Sequence, residues 1–597
     1  MKMIFKPTDY KLGQLTDDID VGVIGLPDIQ RPFEWSDTQV RDLFDSMYHG
    51  YPVGYFLFWE NANQEHTKII GDRGEQRRPP RFLIVDGQQR LTSLFAVIKG
   101  KEVVRKNYEK EKIVIAFNPL KEKFEVPDAS TSHNPEYIQD ISTVWTATNI
   151  TRFIRGYTEK LKEAREISSE DEDKIASTIG ELHGLLHFSF SVLEIDALAS
   201  EEEVAEIFVR INSKGKQLKE TDFILTLMSV FWDDGRMQLE DFSRQAKTLS
   251  EDEATPFNYI FQPDPDQMLR VAIGLGFKRA RMKYAYSILR GKDLQTEEFS
   301  SERRDKQFEV LKEVQKKTLN LTNWHEFLKS LKEAGYTRAG LITSHYNVMY
   351  SYVMFLIAKY DFGINGSALR KLISRWFYFV SLTGRYTKSA ETQMEDDLNV
   401  IRKGSARFGE AKLGDIELGN DKSLESNMSR IMEAELTDDY WNITLPTSEL
   451  ISAAARNPAT FAYYSALNIL GARVLFSNLT TAQLLENGVQ EKRSALERHH
   501  LFPRKYLERI GIEDKTEINQ VANYALVEWG DNNRISDNNP SEYVPEYVGR
   551  FSGEEKKQMY YWHALPESWE QMEFSQFLEE RRKRMAAIIR DAFEKLK

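Results

Sequence analysis

Cysteine is absent from all 597 residues. That absence removes disulfides, thiolate zinc sites, iron–sulfur clusters and cysteine nucleophiles together, and it suits a reducing cytoplasm. Long apolar runs are missing too. A membrane-crossing helix needs about 20 apolar residues, and the densest stretch here, 348–358, falls short. The opening MKMIFK lacks an apolar h-region, so no secretory signal is expected and a cytoplasmic location is. Nor is there an excess of positive charge. The 80 Lys and Arg against 92 Asp and Glu leave a formal net charge of −12, which argues against nonspecific coating of nucleic acid. Local basic strips remain, at 278–283 (KRARMK) and 581–584 (RRKR); each reads as a DNA contact or as a solvated helix face. No internal repeat or low-complexity tract interrupts the chain.

What is present is an ordinary globular composition, 41% hydrophobic and 29% charged, in a chain too long for a single core. The first segment has mixed α/β character. Ser36 and Gln39 have capping-box spacing, and Val40, Leu43, Phe44, Met47 and Tyr48 fall on one helical face that Gly50 ends. Strands are expected over 53–59, 81–85, 112–117 and 188–195, a helix over 90–99, and a solvated helix over 156–184. From about 200 to 410 the pattern turns helical, with amphipathic runs at 201–208 and 307–321. A Gly- and charge-rich linker follows over 404–421, then helical runs over 448–455 and 460–471 and a charged terminal helix from Ser575. The expected domains are 1–235, 236–430 and 431–597.

Two constellations carry chemistry. In the first, Asp86-Gly87-Gln88-Gln89-Arg90 joins a strand to a helix. Such a junction presents main-chain N–H groups and the positive end of a helix dipole, a seat for phosphate. Gly87 permits close approach, Arg90 can pair with phosphate, and Asp86 can hold a hydroxyl or a metal-bound water. The plain alternative is a capped turn with Arg90 in a salt bridge. PDIQRPFEW (27–35) is an extended loop with an arginine, Arg31, and two large aromatics, and FVRINSKGKQL (208–218) adds Arg210, Asn212 and Lys214, suited to phosphate or DNA; a core plug and a simple helix-to-helix turn are their plain alternatives.

The second constellation is His499-His500-Leu501-Phe502-Pro503, followed by Asn523 and, nine positions later, Asn532. Hydrolysing a phosphodiester takes an activated water and a cation against the charge that builds on phosphorus. A neutral imidazole accepts a proton near pH 7, which suits His500 to the role of base. His499 and Asn532 stand where two metal ligands belong, with Asn533 a near rival, and Asn523 stands where the loop needs a brace. Two protein ligands leave room for water and phosphate, as Mg²⁺ prefers. Consecutive strand residues point to opposite faces, so a ligand and a base side by side call for distortion near Pro503. The alternative is a hydrogen-bonded turn with helix-capping asparagines.

Taken together, PDIQRPFEW, IVDGQQRLTSL, INSKGKQLKETD, HHLFP, NYAL and NNRIS resemble the GmrSD family of modification-dependent (type IV) restriction enzymes, and the likeness runs over essentially the whole chain. The resemblance implies an α+β multidomain protein. A ParB/sulfiredoxin-like α/β domain would bind and hydrolyse a nucleoside triphosphate at Asp86, Gly87, Gln88, Gln89 and Arg90, with Gln30 and Arg31 lining the pocket. A helical middle would follow, then a mainly helical domain carrying a ββα-metal HNH motif. It further implies Mg²⁺ or Mn²⁺ as cofactor beside the nucleotide, His500 and Asn523 as catalytic residues, and His499 and Asn532 as ligands. The implied substrate is double-stranded phage DNA carrying modified bases, with a homo-oligomer as a further expectation. Ile29 and Phe33 replace common tyrosines, and His499 stands where an acidic residue is commoner. The missing tyrosine-rich sensing motif leans toward hydroxymethylated or glucosylated cytosine. Two alternatives stay open: a ParB-like nucleotide switch, and a triggered nonspecific nuclease causing abortive infection.

Overall fold

The computed structural model describes residues 4–25, 33, 35–60, 80–105, 110–197, 199, 203–204, 207, 220–250, 253–293, 296, 300–401, 421–452, 454, 456–485, 496–528, 531 and 534–597. It divides into two compact units, Met1–Asp234 and Gly235–Lys597. The stretches expected as a helical connector and a terminal domain both lie in the second. Among the described residues no helix is long and apolar enough to cross a membrane.

The first unit is mixed α/β. Strand β1 (Phe5–Lys11) leads through α1 (Leu12–Asp20) to the short β2 (Ile24–Gly25). Helix α2 (Asp37–Tyr48) starts at the expected capping box of Ser36 and Gln39 and buries Val40, Leu43, Phe44 and Met47. Gly50, at φ +72°, turns the chain toward β3 (Phe56–Glu60). After β4 (Phe82–Asp86) comes α3 (Gln88–Lys99). Two small ribbons follow, β5 (Glu102–Val104) with β6 (Lys110–Lys112), and β7 (Ala116–Asn118) with β8 (Lys123–Glu125); β9 (Ser189–Ile195) completes the main sheet. That sheet has the order β1-β9-β3-β4-β2, with β1/β9 and β3/β4 antiparallel and β9/β3 and β4/β2 parallel. Alternation along β3 and β9 splits the core. Phe56, Phe58, Phe190 and Val192 pack with the helices, whereas Leu57 and Ile195 join Ala199 and Val204 in a second cluster.

Several expectations are corrected here. The single strand over 112–117 is two short pieces, because Ile113 and Ile115 are drawn into the core between the ribbons and Ile115 accepts from the Ile141 amide. The solvated helix over 156–184 is two helices, Ile150–Ala164 and Ser169–Gly184, split at a second capping box of Ser168 and Asp171. It is not merely solvated, since Leu161, Ile175, Ile179 and Leu182 are fully buried.

The second unit is mostly helical, as expected. The fully buried Trp376, Phe377, Tyr378 and Phe379 of helix Gly366–Thr383 lie at its apolar centre, and the Tyr378 hydroxyl donates to the Ala462 carbonyl at 3.0 Å. Helix His345–Tyr360 is buried along almost its whole length. Two further expectations give way in this unit. Of the described residues in the helix expected over 448–455, only 448 and 449 are helical, as the end of a wide π-helical stretch, Tyr440–Glu449, that contains Pro446. It stops because the Asn457 side chain, which caps the next helix, Pro458–Leu470, also donates to the Glu449 carbonyl at 3.1 Å. In the basic strip at 278–283, Lys283 is exposed on the helix Met282–Leu289, but Lys278 and Arg279 form neither a helix face nor an open DNA contact. Lys278 pairs with Asp361 at 2.5 Å and Arg279 with Glu395 at 2.7 Å, both cations buried, and Glu395 also accepts from the Ala280 and Arg281 amides. The linker expected over 404–421 lies almost wholly outside the described residues. The terminal helix runs Phe574–Lys595.

Candidate functional site

In the first unit the chain leaves β4 at Asp86, turns at Gly87 and enters α3 at Gln88. Gly87 has φ +93°, and a Cβ there would stand 2.4 Å from the Phe56 ring, so geometry and space both demand glycine. With no side chain on Gly87, the first turn of α3 lacks a side-chain cap. Arg90 does not stand open as a bare phosphate ligand. It donates to the Val53 carbonyl and, at 2.8 Å, to the Tyr55 carbonyl, while its guanidinium carbon lies 5.4 Å from the Phe56 ring centre. Asp86 is 3.8 Å away. Burial lowers the Arg90 pKa and the Asp86 charge opposes that shift. Gln89 accepts from the Trp35 amide at 3.3 Å. The corner thus brings Asp86, Gly87, Gln88, Gln89 and Arg90 together and pins the segment before β3. Gln30, Arg31, Arg210, Asn212 and Lys214 lie outside the described residues.

In the second unit β10 (Leu496–His500) and β11 (Tyr524–Glu528) form an antiparallel pair, with His499 opposite Ala525 and His500 opposite Tyr524. The register is regular through His500, so the distortion expected near Pro503 falls after the second histidine, and the two imidazoles leave opposite faces. His499 is buried, its ring edge-on to Tyr543 at 5.9 Å between centres. His500 is half-buried against the Tyr524 ring at 4.3 Å, and its Nε2 lies 3.1 Å from Asn519 Oδ1. The Tyr524 hydroxyl donates to that same oxygen at 3.0 Å. Burial pushes the His500 pKa down; the Asn519 hydrogen bond opposes this, and Arg498 and Arg504 add to it. The net direction favours the neutral ring, the state a general base needs.

Asn523 is fully buried and ties the turn that follows His500 to the end of the helix Lys515–Ile518. Its Oδ1 accepts from the Phe502 amide at 2.9 Å, and its Nδ2 donates to the Phe502 and Ile518 carbonyls at 3.1 and 3.0 Å. Its own carbonyl accepts from the Leu501 amide at 2.8 Å, and the Tyr543 hydroxyl donates to the Leu501 carbonyl at 2.6 Å. Arg581 of the terminal helix completes the clamp. It is fully buried and donates to the carbonyls of Ala522 at 2.6 Å, Tyr524 at 2.8 Å and His563 at 3.1 Å. The strip at 581–584 therefore contributes its first arginine to the core rather than to a DNA face.

Asn532 and Asn533 lie outside the described residues. Among the described residues no group of three or more His, Asp or Glu gathers as a metal site. His499 is the described member of the expected ligand pair, and the described donors alone do not make up a complete site for a hard divalent cation. Sequence reasoning missed Asn519, and it read Arg581, within the 581–584 strip, as a DNA contact or a solvated helix face rather than a core residue. Asn519 sits in a polar turn and carried no signal. Arg581 carried one: at helical spacing it falls in line with Phe574, Phe577, Leu578, Met585 and Ile588, the buried stripe of its helix.

In the unit that carries the glycine-turned corner, residues 12–229 match the model of the GmrSD restriction endonuclease N-terminal domain. Over that stretch the chain is similar to the GmrSD family. It is also similar, at 21% identity over 577 residues, to an uncharacterized protein of Methanocaldococcus jannaschii, with 88% of this chain and 85% of that protein covered.

Proposed function

We propose that this chain is a defence endonuclease that cuts phage DNA carrying modified bases, with His500 as the general base and a nucleoside triphosphate regulating it from the corner at Asp86–Arg90. The observation that supports this most is the hairpin end. A half-buried imidazole, its pKa pushed down by burial, stands there beside a turn that Asn523 holds with two side-chain hydrogen bonds to Phe502. Pre-placed groups of this kind are what proton abstraction from water requires, because geometry fixed in advance costs no reorganisation during reaction. His499 and Asn532 are the residues that would hold Mg²⁺ or Mn²⁺. Such a cation, when bound, offsets charge on the phosphate. In the first unit, phosphate would sit against the uncapped first turn of α3, with Asp86 and Gln88 at its edge.

The test compares cleavage of glucosylated-hydroxymethylcytosine phage DNA with its unmodified counterpart in Mg²⁺ buffer, each with and without a nucleoside triphosphate. Cutting confined to modified DNA and altered by nucleotide is expected. His500→Ala should lower the cutting rate by about 10²–10⁴-fold while leaving nucleotide hydrolysis intact. Equal cutting of both DNAs would favour a triggered nonspecific nuclease, and a variant that cuts at the wild-type rate removes His500 from the mechanism.

A further inference from the structure

Three polar devices outside the expected motifs invite a reading: the buried Arg385–Asp397 pair with Tyr386, the Arg581 clamp, and Asn519 beneath His500. The first two are fully explained by folding, since each satisfies buried groups that would otherwise lack partners. Asn519 is different, because its contact is to the reactive side chain itself.

We propose that Asn519 is a positioning residue that fixes the tautomer of His500, so that Nε2 carries the proton and Nδ1 presents the lone pair that accepts one from water. This rests on the nuclease reading above for its purpose, though not for its geometry. Asn519 Oδ1 meets two neighbours, the Tyr524 hydroxyl at 3.0 Å and His500 Nε2 at 3.1 Å. An amide oxygen only accepts, so both neighbours must donate to it. A neutral imidazole with its proton on Nε2 has its lone pair on Nδ1, and the second nitrogen's role is set by the bond the first one makes. Tyr524 serves twice. Its hydroxyl helps hold the amide oxygen toward the ring, and its own ring lies against the imidazole at 4.3 Å, limiting rotation about the His500 side chain. Tyr524 is in turn held by Arg581, which donates to its carbonyl at 2.8 Å. Asn523, the asparagine the sequence pattern offered for orienting the base, instead braces the backbone of Leu501 and Phe502. The two tasks are divided between two asparagines.

The experiment uses the full chain labelled with ¹⁵N-histidine, with the His500 signals identified by their loss in His500→Gln. Wild type at pH 8 should show the His500 Nε2 in the protonated, pyrrole-type range and Nδ1 in the unprotonated range. Asn519→Leu should erase that bias and lower the turnover of modified DNA about tenfold or more, with KM for DNA within about twofold. Asn519→Asp keeps an acceptor at the same place and should restore the tautomer. A wild-type ring protonated on Nδ1, or an unchanged tautomer in Asn519→Leu, overturns the proposal. Should Asn519→Leu fail to fold, the wild-type spectrum alone decides between the two nitrogens. Because the spectrum needs no cleavage, a protein that shows the Nε2–H tautomer but cuts no DNA counts against the nuclease reading and not against this one.

Discussion

Arg90 in the first unit and Arg581 in the second both turn a guanidinium fork onto main-chain carbonyls, yet they sit in unlike surroundings. Arg90 has a side chain 20% exposed and a carboxylate, Asp86, 3.8 Å away. Arg581 is fully buried, and among the described residues it has no carboxylate partner. A buried cation without a counter-ion persists only where dipoles surround it closely, and its removal leaves several carbonyls stranded at once. Arg581 is therefore committed to the shape of the hairpin. Arg90 keeps contact with water, and its hold on Val53 and Tyr55 can be exchanged for another acceptor at modest cost. The geometry of the hairpin in the second unit is set by folding, whereas the Arg90 guanidinium in the first is exposed enough to exchange its partners.

The largest expected effect comes from breaking the buried member of this comparison. Arg581→Met keeps most of the side chain's bulk but leaves the carbonyls of Ala522, Tyr524 and His563 without their donor. At about 1–3 kcal/mol for each stranded acceptor, partly relieved by relaxation, the second unit should lose about 4 kcal/mol. Urea unfolding followed by hydrogen exchange over 520–528 measures it. A variant that unfolds at the wild-type midpoint would mean that the clamp carries no weight and that the two arginines do not differ as described.

Acid probes the same place through His563, whose carbonyl Arg581 holds. The His563 ring is fully buried, its Nε2 is 3.0 Å from the Arg473 carbonyl, and burial pushes its pKa down to about 4. In the unfolded chain the ring takes a proton near its ordinary value of about 6.5, while in the folded chain it stays neutral. Between these values the unfolded state binds more protons, so stability is fully present above the upper one and is lost as pH falls toward the lower. The loss should reach about 3 kcal/mol by pH 4. Unfolding free energies measured across that window should slope in wild type and flatten in His563→Gln; parallel slopes would remove His563 as the cause.

Much of this was legible in the residues, and the parts that were not share a cause. The capping box at Ser36 and the glycine corner at Gly87 follow from local rules, and the helix expected over 90–99 is there, starting two residues earlier at Gln88. The hairpin histidines and Asn523 come together as a strand, a turn and a second strand. What the pattern could not supply was the use of side chains across long separations. Arg90 reaches back to Val53, and Arg581 reaches to Ala522, because the fold brings carbonyls to them. Likewise the Asn457 side chain takes the Glu449 carbonyl and closes a helical stretch where the apolar spacing over 448–455 suggested one would begin. Periodicity reports which face is buried, and is silent about which polar groups meet there.

The smallest expected effect separates the two roles left open for Arg90. Lysine keeps the charge but cannot donate in a fork, so Arg90→Lys should lose one of the two carbonyl bonds at a partly exposed site. A cost of about 1 kcal/mol to the first unit is expected, read as faster hydrogen exchange over 51–56. If Arg90 is an anchor alone, nucleoside triphosphate should slow exchange at the start of α3 equally in both proteins. If it releases Val53 and Tyr55 to take a phosphate, nucleotide should speed exchange over 51–56 in wild type and change it little in the variant. The second outcome would make the corner a switch in which a ligand and the chain's own carbonyls compete for one guanidinium, which is the property that the buried Arg581 cannot have.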